Sequence, residues 1–240
     1  MKLTIGNKLI LGFGVILLAL IINAVLTLSS SLKNSQLNNE IIQSYNPAQN
    51  NLISLRQLLV DSKMLIKNWV YIERQDNTPD KLKLSKILKE DIPSNLKQLQ
   101  ILPDNWEKEK ISQMDQLAKV ISDTIIPLNL QVMSQLNSFE SYDDIMLVFE
   151  VTPQVEEQGQ IMVKTNRAIN LLDELILYQT NLTNQSVTQM QKSFQRFPQV
   201  IIITSLIIVI IFIIVLVFVN RTVTIPIKKG VDFAKAIENG

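Results

Sequence analysis

Cysteine and histidine are both absent from this chain of 240 residues. Without them the chain cannot form a Cys/His zinc site, a Ser-His-Asp triad, a cysteine nucleophile or a disulfide framework. It also lacks a phosphoacceptor histidine, so this stretch is not a complete histidine kinase. The lack of cysteine fits an oxidising compartment. We therefore predict that the chain is not itself an enzyme, with no catalytic residue, no metal site and no cofactor.

An excess of charge of one sign is missing as well. The chain has 23 Lys and Arg residues against 22 Asp and Glu residues, a net charge of +1. Proteins that wrap nucleic acid need clustered positive charge to neutralise phosphates. We expect no nucleic acid among the partners of this chain.

Glycine is scarce where a sheet would need turns. Gly159 is the only glycine between residues 29 and 199, and no Asn-Gly or Asp-Gly pair occurs there. No stretch alternates apolar and polar residues for long enough to make a sheet strand. These absences predict an all-α fold.

Two long hydrophobic runs are present. Residues 9–28 carry no charge over about 20 positions, and residues 200–219 form a second run rich in Ile and Val, so both predict transmembrane helices. Basic residues precede the first run and follow the second, which places residues 1–8 and 220–240 in the cytoplasm and residues 29–199 outside. A cleaved signal peptide is the alternative for the first run. Its length and the lack of an A-x-A site favour a membrane span.

Apolar residues three and four positions apart predict four helices between the spans. We expect helix 1 to end near Arg74, helix 2 to cover about 79–101, helix 3 about 105–137, and helix 4 to run from about Pro153 into the second span, with a short extra turn at 143–150. The apolar seams are Leu55, Leu59, Ser62, Ile66 and Trp69 on helix 1, Ile111, Met114, Ala118, Ile121, Ile125, Leu128 and Val132 on helix 3, and Ile161, Thr165, Ala168, Leu172, Leu175 and Leu182 on helix 4. Four such helices joined by short loops predict an antiparallel four-helix bundle.

Local signals punctuate these helices. Thr78 and Thr152 each precede a proline, as N-cap residues do, and two pairs have the spacing of capping boxes, Asp104 with Glu107 and Ser141 with Asp144. Three prolines fall inside predicted helices, where each removes a backbone donor and crowds the preceding turn. We expect kinks or interruptions at Pro47, Pro93 and Pro127.

A proline-to-glycine pattern follows the second span. Ile225-Pro226-Ile227 leads into an apolar series, and Gly240 lies fourteen positions after the proline; the series is Val231, Phe233, Ala234 and Ile237. This segment resembles the first helix of a HAMP signalling module, although Gly230 stands where such modules have a larger apolar residue. The order of span, four helices, span and HAMP helix resembles the input half of bacterial methyl-accepting chemotaxis receptors.

That resemblance implies a homodimeric receptor of the bacterial inner membrane. Its periplasmic sensor domain, residues 29–199, would detect a small molecule or a periplasmic binding protein. A helix displacement would then pass through the second span to a truncated HAMP segment at residues 220–240 and to a cytoplasmic output beyond the chain. The expected signal-transmission residues are Asn220, Arg221, Pro226 and Gly240. Two alternatives remain, the input half of a sensor histidine kinase or another HAMP-linked enzyme, and a membrane-anchored helical scaffold.

Four basic residues of helix 1 are candidates for ligand binding. Arg56, Lys63, Lys67 and Arg74 lie within about 40° of one another on an ideal helix, so they form one basic stripe. Such a stripe can clamp a carboxylate, with Arg167 of helix 4 as a further donor and Trp69 as an aromatic wall. The alternatives are a solvated face that pairs with acidic neighbours such as Asp61 and Glu73, and a core role for Trp69.

Ala19, Asn23 and Thr27 lie four positions apart on one face of the first span. An asparagine in hydrocarbon needs a hydrogen-bond partner, so this face predicts a helix contact. The partner is either the same span of a second copy across a dimer axis or the second span of the same protomer.

Overall fold

In a computed structural model, which describes residues 4–238, every element is helical and no strand occurs among those residues. The α-helices are α1 (Ile5–Glu40), α2 (Asn46–Tyr71), α3 (Pro79–Lys86), α4 (Ile92–Gln98), α5 (Lys108–Val120), α6 (Ile126–Gln135), α7 (Ile145–Val155), α8 (Gln160–Val219) and α9 (Ile225–Glu238). One 3-10 helix covers Phe139–Tyr142, and four π-helical turns cover Ile41–Tyr45, Ile87–Asp91, Ile121–Ile125 and Asn220–Thr224.

A proline follows each of the four π-helical turns. Each turn ends two residues before Pro47, Pro93, Pro127 or Pro226. A proline cannot donate to the carbonyl four residues earlier, and its ring crowds that carbonyl. The residue before the proline instead donates to a carbonyl five residues earlier, as Asn46 does to Ile41. The helices therefore continue through these prolines by widening one turn.

Helix ends differ from the predictions by a few residues, except around Pro153. Thr78 caps α3 as predicted, its side chain accepting a hydrogen bond from the amide of Lys81 at 3.4 Å. The predicted capping box at Asp104 is wrong, since α5 begins at Lys108. The other predicted box is shifted along the chain, with Ser138 and Ser141 forming the box and Asp144 capping α7.

The predicted start of helix 4 at Pro153 is wrong. Pro153 lies inside α7, and the long final helix starts at Gln160, after a turn that contains Gly159. A Cβ atom at Gly159 would lie within 2.4 Å of the Gln154 carbonyl oxygen and 2.2 Å of that of Pro153. Only glycine fits this close backbone approach, which marks the break between α7 and α8.

The residues 39–187 form one compact unit, called the core unit here. The predicted seams of helix 1 and, up to Leu175, of helix 4 are buried in it, while Leu182 is half-buried. The helix 3 seam is buried at Met114, Ile121, Ile125 and Val132. The predicted members Ala118 and Leu128 are half-buried, and their neighbours Leu117 and Asn129 are buried in their place. One hydrophobic core thus joins residues from all four predicted helices.

The residues 4–38 and 188–238 belong to a second unit, called the apolar unit. Its helices are long and apolar enough to cross a membrane, and their most apolar windows are almost entirely unburied within the chain. Gly12 is a point of close packing here, because a Cβ atom at this position would lie 2.9 Å from Cγ1 of Val215. Close approach at small residues is typical of paired helices in lipid.

Candidate functional site

Three members of the basic stripe bond to the segment that contains the start of α8. The Arg56 guanidinium donates to the Asp173 carboxylate at 2.5 Å, and the Lys63 ammonium donates to the Asn166 amide oxygen at 2.7 Å. The Lys67 ammonium pairs with Glu157. These bonds give each of the three cations a partner within the chain.

The three cations are half-buried, and the acidic partners of Arg56 and Lys67 are exposed. The side chain of Arg56 is 39% exposed and that of Asp173 is 48% exposed. The hydrogen bond from Lys67 lowers the pKa of Glu157, and the bond to Asp173 raises the pKa of Arg56. Exposed ion pairs of this kind are screened by water and salt and contribute little to stability.

The predicted acidic neighbours of the stripe do not pair with it. Asp61 accepts a bond from Lys83 of α3 at 2.9 Å. Arg74 follows the end of α2 at Tyr71, so it is not a member of the helical stripe. Arg74 and Arg167 are both exposed. The ligand-binding role of these arginines stays a prediction.

Trp69 lies in a buried cluster at the end of α2. Its indole N–H donates to the Leu136 carbonyl at 2.8 Å, and the Tyr142 hydroxyl donates to the Trp69 carbonyl at 2.7 Å. The Lys81 ammonium lies over both rings, 4.7 Å from the Trp69 ring centroid and 5.1 Å from that of Tyr142. A cation over two aromatic faces is held by their quadrupoles.

Lys81 is a charged residue that is buried in this cluster, with a relative exposure of only 4%. Its ammonium has no hydrogen-bond partner within the described residues. Burial lowers the pKa of Lys81, and the charges of Asp76 and Glu73 partly oppose this effect. Burial also raises the pKa of Tyr142. A buried ammonium without an acceptor is costly, because the hydrogen bonds that it makes to water are lost without replacement.

A pocket of about 410 Å³ adjoins this lysine. Trp69 forms part of its wall, and Asn77, in the left-handed conformation at φ 54°, turns the chain beside it. The lining residues are Trp69, Asp76, Asn77, Lys81, Leu82, Ser85, Lys89, Leu130, Met133, Ser134 and Asn137. Its volume is within the range of small-molecule sites in proteins.

The sequence contained one signal that would have pointed to Lys81. It stands three and seven positions before Leu84 and Leu88, which are both fully buried. That spacing makes it a seam position of helix 2, where an apolar residue is the norm. The segment around Lys81 contains several other charged residues. Without the spacing to Leu84 and Leu88, the sequence would therefore predict that Lys81 is exposed to solvent.

A second buried polar group involves Gln179 of α8. Its side-chain oxygen accepts a bond from the Trp106 indole at 2.6 Å, and its amide nitrogen donates to the Tyr45 carbonyl at 3.1 Å. Gln179 is completely buried and Trp106 is 4% exposed. This arrangement joins α8 to the π-helical turn of helix 1 and to the segment before α5.

Within the apolar unit, Asn23 bonds to the second apolar helix of the same chain. Its side-chain oxygen accepts a bond from the Thr204 hydroxyl at 2.7 Å. Ala19 and Thr27 are half-buried on the same face, and Ala19 and Asn23 line a small cavity of about 280 Å³ between the two helices. The partner of Asn23 is thus the one expected for a contact within a protomer, and the dimer contact stays a prediction.

The predicted transmission residues begin with a π-helical turn. Asn220 and Arg221 lie in it, and the Ile225 amide donates to the Asn220 carbonyl just before Pro226. The helix α9 then runs to Glu238 and exposes the apolar side chains of Val231, Phe233 and Ile237. Gly240 lies outside the described residues.

Comparison of the chain with protein-family models, curated proteins and solved structures found no match. The residues and their geometry are therefore the basis for assigning a function.

Proposed function

We propose that this chain is the input part of a transmembrane sensor. In this proposal the core unit is a four-helix bundle outside the cytoplasmic membrane. It detects a small molecule or a partner protein, and the second span carries a helix displacement to the segment that resembles HAMP. The output would be chemotactic signalling, as the resemblance to chemotaxis receptors implies.

The observation that carries this proposal is the length of α8. This helix is 60 residues long, and it contains both core residues such as Leu172 and the second apolar run. A continuous helix resists compression better than a loop, because its backbone is hydrogen-bonded along its axis. Pro198 inside α8 lacks a backbone donor, and the helix continues past it to Val219. A shift or rotation that begins among the core residues of α8 can therefore reach its apolar part.

The exposed apolar face of α9 supports a signalling role over a simple anchor. Phe233 is 69% exposed and Ile237 is 67% exposed, beyond the second apolar run. Apolar side chains at heptad-like spacing need other helices to cover them. A HAMP module supplies such helices through a second helix of the chain and a second copy.

Insertions in the linker test this proposal. The full chain is joined to the output region of a characterised HAMP-linked kinase, and one to seven alanines are inserted between Thr224 and Ile225. Each inserted residue rotates the following helix by about 100°, so kinase output should vary with helical period and return to its starting value at about seven residues. Output that is independent of insertion length would contradict the sensor and favour a scaffold.

Mass spectrometry of the native protein from its host membranes, with identification of its peptides, distinguishes the receptor classes. Peptides from a long methylatable coiled coil would identify a chemotaxis receptor. Peptides from a catalytic domain would identify a sensor kinase or cyclase instead.

A further inference from the structure

We infer that the pocket beside Lys81 is a binding site for a small organic monocarboxylate, with Lys81 as the residue that pairs with the carboxylate. Its ammonium is buried and has no acceptor within the described residues, and Lys81 itself lines the pocket. This assignment gives the proposed sensor a ligand class, and only its signalling consequence rests on that proposed function.

The ammonium of Lys81 can contact either the aromatic rings beside it or a carboxylate bound in the pocket. It contacts the faces of Trp69 and Tyr142, which are weak partners for a charge. Rotation about the end of its four-carbon stem replaces a ring contact with a charge-assisted hydrogen bond to a carboxylate in the pocket. The bound anion thereby supplies the acceptor that the buried ammonium lacks.

The charges around the pocket select a single negative charge. Lys81 and Lys89 contribute two positive charges, and Asp76 contributes one negative charge. The sum over these lining residues is +1, and the nearby Glu73 and Arg74, which also act on this cluster, have opposite charges that offset each other. A net charge of +1 matches a monoanion, whereas a dianion would bring its second charge into a site that Asp76 already makes less positive.

The walls of the pocket favour an organic ligand over an inorganic one. Trp69, Leu82, Leu130 and Met133 supply apolar surface, which an inorganic phosphate cannot use. Ser85, Ser134, Asn77 and Asn137 supply hydroxyl and amide groups that can orient the ligand. A carboxylate with a short apolar body satisfies both sets of groups.

The test uses the full chain in lipid nanodiscs and isothermal titration calorimetry at constant ionic strength. The probes are straight-chain monocarboxylates from acetate to hexanoate, each beside its neutral amide, with inorganic phosphate as a further probe. At least one carboxylate should bind about tenfold or more tightly than its amide, the size expected for one charge-assisted hydrogen bond. Equal binding of acid and amide, no binding of any carboxylate, or tighter binding of phosphate would overturn the inference.

Matched variants connect that binding to the pocket. Lys81→Met keeps the length of the stem and removes the charge, and it should weaken carboxylate affinity by about tenfold or more while amide affinity stays constant. Lys119→Met, at an exposed position of α5 outside the pocket, is the control and should bind as the wild type does.

Ser134→Phe is a second variant that fills the pocket from an exposed position and leaves Lys81 intact. It should abolish carboxylate binding without altering the melting temperature. If Lys81→Met does not fold, this variant alone tests whether carboxylates bind in the pocket. Wild-type affinity in a folded Lys81→Met or Ser134→Phe protein would overturn the assignment. If carboxylates bind but linker insertions have no periodic effect on output, the carboxylate site is supported and the sensor function is contradicted. If insertions have a periodic effect but no carboxylate binds, the sensor function is supported and the carboxylate site is contradicted.

Discussion

Leucines of the core unit and leucines of the apolar unit have opposite surroundings. Leu59 in α2 is 0% exposed, whereas Leu206 in α8 is 59% exposed. In the core unit apolar residues recur three or four positions apart and face other helices. In the apolar unit they surround the helix on all sides, and only one face of each helix packs against another. The comparison shows that the two kinds of helix differ both in the period and in the amount of their apolar residues. An apolar stripe at helical spacing is buried within the core unit, whereas helices that are apolar on every face, and long enough to cross a membrane, leave most of those side chains uncovered by the chain.

The largest expected difference between the two units concerns truncation of these leucines. Leu59→Ala should lower the free energy of unfolding of the core unit by about 2 to 5 kcal/mol, since it opens a cavity in a packed core. The matched variant Leu206→Ala should leave that free energy unchanged. Urea unfolding of the full chain in nanodiscs, followed by fluorescence of Trp69 and Trp106, measures both. Equal unfolding midpoints for the two variants would contradict the distinction.

The next effect concerns the buried polar group of the core unit. Gln179→Leu leaves the Trp106 indole N–H and the Tyr45 carbonyl without their side-chain partner, so we expect a loss of about 1 to 3 kcal/mol in unfolding free energy. Gln131→Leu, at an exposed position of α6, is the matched control and should have little effect. Urea titrations of the two variants give the comparison. A loss in the control as large as that in Gln179→Leu would argue against the buried bonds.

The polar contact of the apolar unit should be weaker. Hydrogen bonds between helices in lipid average about 0.6 kcal/mol in double-mutant cycles, because the separated helices also find partners. We expect a coupling energy of this size between Asn23→Leu and Thr204→Val. It can be measured by SDS titration, followed by energy transfer between dyes on cysteines introduced at Ser31 and Lys192. A coupling energy of zero would favour a partner for Asn23 in a second copy.

The smallest effect is a dependence of core-unit stability on pH. The hydrogen bond from Lys83 lowers the pKa of Asp61 below its ordinary value of 3.8, against the opposing effect of burial. Its contribution, below about 1 kcal/mol, is present above that value and is lost as pH falls through the lowered pKa of the folded state.

Asp61→Asn should therefore be slightly less stable than the wild type at neutral pH, and the difference should vanish in acid. The exposed Asp115→Asn is the control in the same urea titrations. A difference for Asp61→Asn that is constant with pH would show that its carboxylate does not contribute through charge.

Elements with a strong period could be predicted from the sequence. The seam from Leu55 to Trp69 is buried as predicted, and the helical class is confirmed. Both predicted spans lie in helices that are long and apolar enough to cross a membrane. The break at Gly159 was not predicted, because a proline after a threonine indicates a helix start as well as it fits the interior of α7. The close backbone contact that decides between them is a tertiary feature.

The candidate site was predictable only in part. Trp69 was identified as both a possible ligand wall and a core residue, and it is buried and also lines a pocket. Lys81 was missed, since the cost of burying an ammonium argues against a core position unless rings and an anion compensate it. Composition and spacing carry no information on that compensation, which depends on Tyr142, 61 positions away.

Labelling of single cysteines tests the central claim, which is that the core unit lies on the outer side of the cytoplasmic membrane and that α9 lies in the cytoplasm. The cysteine-free chain allows Lys119→Cys in the core unit and Lys229→Cys in α9 to be compared on an otherwise unreactive background. In intact spheroplasts a membrane-impermeant maleimide should label Lys119→Cys fully, and it should label Lys229→Cys only after permeabilisation. Labelling of both positions before permeabilisation, or of Lys229→Cys alone, would contradict the proposed topology and with it the sensor.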